Sequence, residues 1–452
     1  MRNILPKNLL LLAEKLPAPL YLVGGSVRDF LIPLSPVNGK LDLDICAPLP
    51  ADAFASVAQE NAFIVQSIYR ATGTVKLKDA DGFDYEYSCF RSDKYVRGIH
   101  TPIETTFTND ISLDARRRDF TANAVYYDIK NGVFVDPLGG IPAIQEKRLT
   151  TVAPARKVFG EDGLRLMRLA RQAGQLGFTP DGDCLDGAKE NATLIKDVTP
   201  ERVFTELSAI LSADQKYGVQ DGHFAGLKLL DKTRVLDYIF PELTLGRGMK
   251  QRADFHDHDV LEHSLRAARY APAPLRLAAL LHDVGKPFCE LRDHTSFAHP
   301  EEGARLAGEM LHRLKAPKKV IMQVQTLTAL HMYDLDGKVK ENKLRRFFVE
   351  HYPCLIELMA IKQADFSACK DKLCIAPTVE KWQKLLQKLQ AEQAPLTLKA
   401  LALSGKDLLN IGVPVPKIAY ILQKLLLHAV CQPKDNQKER LVKIALGELK
   451  NI

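Results

Sequence analysis

Apolar and polar positions alternate with a short period through residues 1–150 and with a helical period from about there onward. Tyr21-Leu-Val, Leu41 to Cys46, Gly73 to Leu77, Phe83 to Phe90 and Val133-Phe-Val135 are short runs set off by Gly and Pro, and they predict strands. After Phe159 the pattern changes. Leu164, Met167, Leu169 and Leu176 fall on one face of a predicted helix, with Arg165, Arg168 and Arg171 interleaved. Between residues 190 and 452 almost nothing reads as a strand. The pattern predicts a mixed α+β fold: a small sheet-containing head at 1–150, a helical neck at 151–245, and a helical body. Polar and basic residues from Gly246 to Arg252, and the Ala376-Pro377 step, divide that body into 246–375 and 376–452.

Composition narrows the class. A chain of 452 residues at ~100–200 residues per domain holds two to four domains. With 46% hydrophobic and 26% charged residues it is an ordinary globular chain, not a disordered one. The charge balance, 62 − 55 = +7, permits a polyanionic partner without demanding one. No apolar run approaches the ~20 residues of a membrane helix. The Leu9-to-Ala13 run, cut off by Glu14 and Lys15, is too short for a signal sequence. Eight cysteines without a CxxC pair read as reduced, mostly buried thiols. The expectation is a cytoplasmic enzyme with no membrane association.

The head carries the first chemistry. Val23-Gly-Gly-Ser-Val-Arg-Asp29 follows a predicted strand and opens a predicted helix. Gly24 and Gly25 let backbone N–H groups approach a phosphate, and Arg28 would add charge-assisted hydrogen bonds. By itself the pair of glycines is equally a tight turn. In Leu41-Asp42-Leu43-Asp44-Ile45 the two acids share a strand face, where they repel unless a divalent cation neutralises them. An isolated acid pair of this kind is a solvated edge strand. Beside a glycine loop it is better explained by Mg²⁺ held between carboxylates and substrate phosphates.

Arg116 to Asn123 concentrates cation, carboxylate and amide: Arg117 and Arg118 suit a triphosphate, Asp119 lies between, and Asn123 suits a sugar hydroxyl. Asp136-Pro-Leu-Gly-Gly140 is a structural turn. Asp162 and Arg165 are three apart, the spacing of a surface ion pair. They are also an acceptor and a donor that match the exocyclic amine and ring nitrogen of cytosine or adenine, whereas uracil and guanine present the opposite order.

These residues resemble the class II tRNA nucleotidyltransferase and bacterial poly(A) polymerase family. The similarity lies in GGSVRD at 24–29, LDLD at 41–44, RRDFTANA at 117–124, DPLGG at 136–140 and EDGLRLMR at 161–168, in the family's order. It implies a nucleotidyltransferase head and a neck that binds the incoming base. It also implies that Asp42 and Asp44 hold metal, that Gly25 and Arg28 form the phosphate loop, and that Arg118, Asp162, Arg165, Arg168 and Arg171 contact the nucleotide. Glu86, with Arg91 nearby, is taken as the third acid; its alternative is a strand residue facing water. Ser92 to Ser112 resembles the loop associated with adding A after C, although Asn109 to Asp114 is less acidic than the family's usual run.

A second constellation lies in the body. His256 to His263 is followed by His282-Asp283-Val-Gly-Lys286, His299, His331 and Asp365. Imidazole and carboxylate suit Mn, Fe, Ni, Co or Zn. His256, His258 and His294 taken singly are caps or core residues, but the His282-Asp283 pair is not explained so. The segment resembles HD-domain phosphohydrolases, which implies His263, His282, Asp283 and Asp365 as a first transition-metal site. His299 and His331 would be the extra ligands of two-metal versions, and Lys286 would face substrate phosphate. The implied reaction is phosphoester hydrolysis, with an RNA 3′ phosphate or cyclic phosphate the economical substrate. Basic clusters at Lys315, Lys318 and Lys319 and from Lys338 to Arg346 are solvated faces or backbone contacts for a tRNA acceptor arm.

The sequence therefore predicts a CCA-adding tRNA nucleotidyltransferase that uses CTP and ATP without a template, with an appended HD domain. Its rivals are a poly(A) polymerase, an enzyme adding only CC or only A, an HD hydrolase acting on RNA 3′ ends, and a tRNA-binding scaffold.

Overall fold

The computed structural model describes residues 1–32, 37, 43–96, 103–251 and 257–450. The chain forms two compact units: Met1–Thr244 with His312–Ala316, and Leu245–Leu311 with Pro317–Ile452.

The first unit contains the sheet, and the fold class is α+β as expected. Its strands are β1 Tyr21–Val23, β2 Leu43–Ala47, β3 Ile64–Tyr69, β4 Thr74–Lys78, β5 Asp84–Cys89, β8 Tyr126–Asp128 and β9 Val133–Val135. They are ordered β3-β4-β5-β2-β1-β8-β9, and β6 Arg91–Lys94 pairs with β7 Glu104–Phe107 as a separate hairpin. The central strands β1 and β2 are short and apolar, and Leu22, Val23, Ile45 and Cys46 are buried. Only β2–β5 is parallel within the large sheet, with Asp44 opposite Glu86. Five of these strands match the expected runs. β3, β6, β7 and β8 do not: Arg91–Lys94 is polar throughout, and Tyr126–Asp128 is buried on both faces, so neither shows a clean alternation.

One apolar cluster ties the sheet to the neck. Val23, Cys46, Phe90, Ala115, Ala124 and Tyr126 pack with Val152 and Val158, so the strand ends and the start of the neck share a core. The turn at Asp136 is structural as expected: its carboxylate accepts from the N–H groups of Gly140 (2.7 Å) and Ile141 (2.8 Å). The neck helix Leu164–Leu176 comes next, ended by Gly177 at φ 66.

The second unit is helical, and no strand occurs beyond Pro180 among the described residues. Helix Val260–Tyr270 packs against Arg276–Leu281 and Leu355–Cys369, and Arg276–Leu281 packs against Lys318–Leu330. A C-terminal cluster forms around Leu408, Ile421, Leu425, Leu441 and Ala445. All eight cysteines are free, as expected, but only Cys46, Cys89, Cys184 and Cys289 are buried and Cys374 is exposed. No described helix is long and apolar enough to cross a membrane.

The neck offers a test of the packing. Gly174 on Leu164–Leu176 faces Gly222 at the start of helix Gly222–Lys232, and a Cβ on either would strike the other's carbonyl oxygen. Gly→Ala in a helix ordinarily stabilises by up to about 1 kcal/mol. Gly174→Ala should reverse that sign and destabilise the first unit by about 2 kcal/mol or more, read as a lowered midpoint in thermal or urea unfolding. An unchanged or raised midpoint would contradict the close crossing.

Candidate functional site

Gly24 leaves β1 at φ 76 and ψ −139 and caps the helix Gly25–Leu31. This backbone conformation suits glycine, and a Cβ there would stand 3.1 Å from Asp44 Oδ2. The glycine turn and the Asp44 carboxylate are therefore face to face. In-register pairing puts Glu86 on the same sheet face as Asp44, one strand over. Glu86 is 54% exposed and stands 3.9 Å from Lys76. The solvent-facing environment of the alternative reading is thus present, on the face that Asp44 also occupies. Asp42 lies outside the described residues. Carboxylate oxygens on one face beside a phosphate-type loop are the hard donor set that a small divalent cation takes, so Asp44 and Glu86 fit one.

Arg28 is buried and engaged. It donates to Asp29 Oδ1 (2.6 and 3.0 Å), Asn123 Oδ1 (2.7 Å) and Tyr217 Oη (3.2 Å). The amide of Asn123 in turn donates to Asp119 Oδ1 (2.9 Å) and Gln172 Oε1 (3.1 Å). Asn123, expected at a sugar hydroxyl, is thus the joint between the glycine-loop helix and the neck. Asp119 also accepts from the Phe120 N–H and pairs with Arg168 at 2.7 Å. Burial works against its charge, but Arg168, Asn123 and that N–H prevail and hold it at about 2.

A hub that the sequence did not single out lies beside it. Asp114 is fully buried; it accepts from Arg117 Nε (2.7 Å), Arg118 Nη2 (3.1 Å), Tyr126 Oη (2.7 Å) and the Arg91 N–H (3.3 Å). Burial opposes its ionisation, and the two arginines and the tyrosine overcome this to keep it at about 2. Its signal was legible only as an acid three and four residues ahead of an arginine pair on a short helix. Arg91 Nε meets Asp93 at 3.1 Å, and its Nη1 donates to the Thr72 carbonyl. Residues 97–102 of the expected A-addition loop lie outside the described residues; the stretches flanking them form the β6–β7 hairpin.

Asp162 sits between the helices Ala155–Glu161 and Leu164–Leu176, and its Oδ1 accepts the Leu164 N–H at 2.9 Å. Its Oδ2 is 4.0 Å from Arg165 Nε. Both residues are buried, and burial pushes the Asp162 pKa up. Arg165 is steadied by Glu161 Oε2 (3.1 Å) and by the carbonyls of Val158 (3.0 Å) and Arg117 (2.7 Å), with the Tyr95 ring 5.6 Å away. A cleft of about 530 Å³ opens alongside, lined by Tyr95, Pro154, Arg156, Lys157, Glu161 and Asn191 among others. Arg171 points into a different pairing, with Glu206 (2.7 Å) and Gln175 (3.2 Å).

The second unit brings together every body residue singled out as a ligand. His263 Nε2 and His282 Nε2 are 3.3 Å apart, and so are His299 Nε2 and His331 Nε2. Asp283 lies between the pairs. Its Oδ2 is 3.3 Å from His282 and 3.5 Å from His263, and its Oδ1 is 3.3 Å from His299 and 3.6 Å from His331. Asp365 Oδ1 is 3.0 Å from His263. Nδ1 of His282, His299 and His331 donates to the carbonyls of Ala279 (2.7 Å), Ser296 (2.5 Å) and Thr328 (2.7 Å). A carbonyl can only accept, so each Nδ1 carries a proton, and Nε2 is the ring atom that faces the cluster and would ligate a metal.

Nitrogens and carboxylate oxygens converging in a buried space call for cations. Burial disfavours a charged His282, yet Asp283 and Asp365 outweigh it and raise its pKa to about 10; at His331 burial prevails and lowers it to about 4. The donor set fits borderline transition metals. Lys286, expected to face phosphate, is instead spent on Asp283 Oδ2 (2.6 Å) and Gln251 Oε1 (2.9 Å). His294 is a helix C-cap at φ 54, as its bland reading held; His256 lies outside the described residues.

Three family models match: the Poly A polymerase head domain over residues 20–150, an RNA and SrmB-binding site of polymerase A over 177–245, and tRNA nucleotidyltransferase domain 2 over 298–445. A CCA-adding enzyme from Geobacillus sp. (strain WCH70) is 28% identical over 433 residues, 93% of this chain and 91% of that one. An A-adding tRNA nucleotidyltransferase from Deinococcus radiodurans is 31% identical over 432 residues, 89% of this chain and 90% of its own. In fold, the chain matches a Bacillus stearothermophilus CCA-adding enzyme solved with CTP, at TM-score 0.65 and 23% identity over 99% of each chain. With family models matched over head, neck and body and a relative 31% identical over nine-tenths of both chains, the chain belongs to the tRNA nucleotidyltransferase and poly(A) polymerase family and is a nucleotidyltransferase.

Proposed function

We propose that the enzyme adds C, C and A to the tRNA 3′ end from CTP and ATP, without a nucleic-acid template, in the cytoplasm. The observation that carries this is end-to-end similarity to a CCA-adding enzyme, over 93% of this chain. In the reaction the tRNA 3′-hydroxyl attacks the α-phosphate of the incoming nucleotide and pyrophosphate leaves. Asp42, Asp44 and Glu86 would hold Mg²⁺, which when bound polarises the α-phosphate and offsets the triphosphate's charge. The chain's own residues supply the rest. The N–H groups at Gly24 and Gly25 face the phosphates. Arg117 and Arg118, fixed on Asp114, offer positive charge that needs little reordering when the triphosphate arrives. Arg28 and Asn123 keep the glycine-loop helix fixed to the neck, and Asp162 and Arg165 read the base edge.

The same reading assigns transfer to residues 1–150, base and RNA contact to 151–245 and a metal-dependent function to 246–375. It leaves 376–452 as a helical segment without catalysis. An A-only enzyme is the second reading, favoured by the 31% identity to an A-adding relative. For the cluster at 246–375 we propose an HD-type phosphohydrolase that takes Mn, Fe, Ni or Co and acts on phosphoesters at RNA 3′ ends. It is supported by the two facing histidine pairs and the carboxylate between them.

Four measurements test these assignments. Offered one nucleotide at a time, tRNAs ending before the first C, before the second C and before the A should accept CTP, CTP and ATP. Asp44→Asn should abolish all three additions while leaving the fold intact. Acceptance of ATP alone, on the last substrate only, would establish the A-adding reading instead.

Base choice should depend on Asp162. Asp162→Ala removes the acceptor for the exocyclic amine, and a mismatched polar edge is worth about 1–3 kcal/mol. The CTP-to-UTP incorporation ratio should then fall by about ten- to a hundredfold. An unchanged ratio would leave Asp162 as a helix cap and nothing more.

In the second unit, replacing His282 and Asp283 together by Ala should remove bound transition metal and any phosphoester hydrolysis, with nucleotide addition preserved. If metal analysis finds wild type and variant equally empty after incubation with Mn, Fe, Ni and Co, the cluster is not a metal centre.

A further inference from the structure

We infer that Cys369 is an additional, soft ligand of the histidine–aspartate cluster. The half-site that it forms with His263 and Asp365 would then select a thiophilic metal of the zinc, cobalt or iron kind over magnesium or manganese. This inference rests on reading the cluster as a metal centre.

Asp365 and Cys369 are four apart near the end of helix Leu355–Cys369, so their side chains lie on one face one turn apart. His263 faces them from helix Val260–Tyr270, which packs along Leu355–Cys369. The ligand atoms of His263, Asp365 and Cys369 all lie within 4.8 Å of one another. Tetrahedral bonds of about 2.0–2.3 Å place ligand atoms about 3.3–3.8 Å apart, so the triad closes on a metal with small side-chain rotations. The thiol's contact with the Asp365 carbonyl, at 3.4 Å, is weak and easily given up.

A second observation points into the same space. Asp283 is 1% exposed, and apart from Lys286 on Oδ2 its oxygens have only imidazole nitrogens at 3.3 Å or more. Its Oδ2 has Lys286 at 2.6 Å and His263 Nε2 at 3.5 Å. Such a carboxylate is completed by a cation placed beside His263. Among the described residues one half-site, at Asp283, His299 and His331, offers nitrogen and oxygen, while the other has sulfur within reach. Thiolate ligands shift preference toward softer ions. On binding, the Cys369 S–H bond breaks, the sulfur lone pair goes to the metal, and the proton leaves to solvent.

Cobalt reports sulfur ligation directly. Full-length wild type titrated with Co²⁺ should develop visible d–d absorption and a near-ultraviolet sulfur-to-cobalt charge-transfer band. Cys369→Ser should retain the d–d absorption and lose that band. Its Zn²⁺ affinity should drop by about tenfold or more, with Mn²⁺ affinity changed far less. Without any variant, Zn²⁺ should protect Cys369 of the wild type from alkylation, read by peptide mass, and Mg²⁺ should not. Bound cobalt without the charge-transfer band, or Cys369 alkylated equally with zinc bound, overturns the sulfur ligand and leaves the metal centre standing. Absence of any cobalt absorption in the wild type overturns both.

Discussion

A carboxylate with no exposure to water and two arginines on it is what the head depends on. Asp114 gathers Arg117, Arg118, Tyr126 and the Arg91 N–H around one side chain. Loss of one partner from such a buried set costs about 3–5 kcal/mol, because the others are left uncompensated. The arrangement does more than hold the fold. Guanidinium groups that would otherwise repel one another are kept together and oriented. Asp119 repeats the device with Arg168 and Asn123. Both acids are held at about 2, so at neutral pH the arginines always have their anchors.

The glycine turn belongs to the same logic. At Gly24 the backbone passes so close to Asp44 that the missing side chain is a condition of the site. The helix it opens carries Arg28, whose guanidinium reaches Asn123, and Asn123 reaches Gln172 on the neck. Glycine turn, arginine segment and neck helix are thus joined by side-chain hydrogen bonds through buried amides. A shift of the neck helix would be felt at the glycine turn.

Much of this was legible from residues alone, and the pattern of what was not is informative. The strand at Asp84–Cys89 follows from periodicity because it buries alternate residues, and Tyr21–Val23 and Leu164–Leu176 follow from their apolar residues and are buried on nearly every side. The short hairpin of Arg91–Lys94 with Glu104–Phe107 does not, since its residues are polar on both faces. Among site residues, Asp162 and Arg165 were legible as a chemical pair. Asp114 was not, because its importance comes from Tyr126 and Arg91, which sequence separates from it and only the sheet brings near. Asn123 and Lys286 were read as reaching outward to ligand. Both are turned inward, and nothing in residue type distinguishes an amide or ammonium that meets substrate from one that holds a neighbour.

The two constellations show why the histidine–aspartate cluster could be assembled from sequence more completely than the head. Its ligands are residues that seldom gather in a buried space without a cation, and each of His282, His299 and His331 sits at or beside a helix end where its Nδ1 finds a carbonyl three residues back. That local hydrogen bond fixes the ring and turns Nε2 inward whatever else the chain does. The head works with acids and arginines that are common on any surface, and they acquire meaning only through strand register, as Asp44 does opposite Glu86. Local geometry therefore writes the second centre into helix ends, while the first exists only once parallel pairing of β2 with β5 has formed. Cys369 stands between these cases: it shares Asp365's helix and so could have been read by its spacing, but only the packing of Val260–Tyr270 against that helix brings His263 to it.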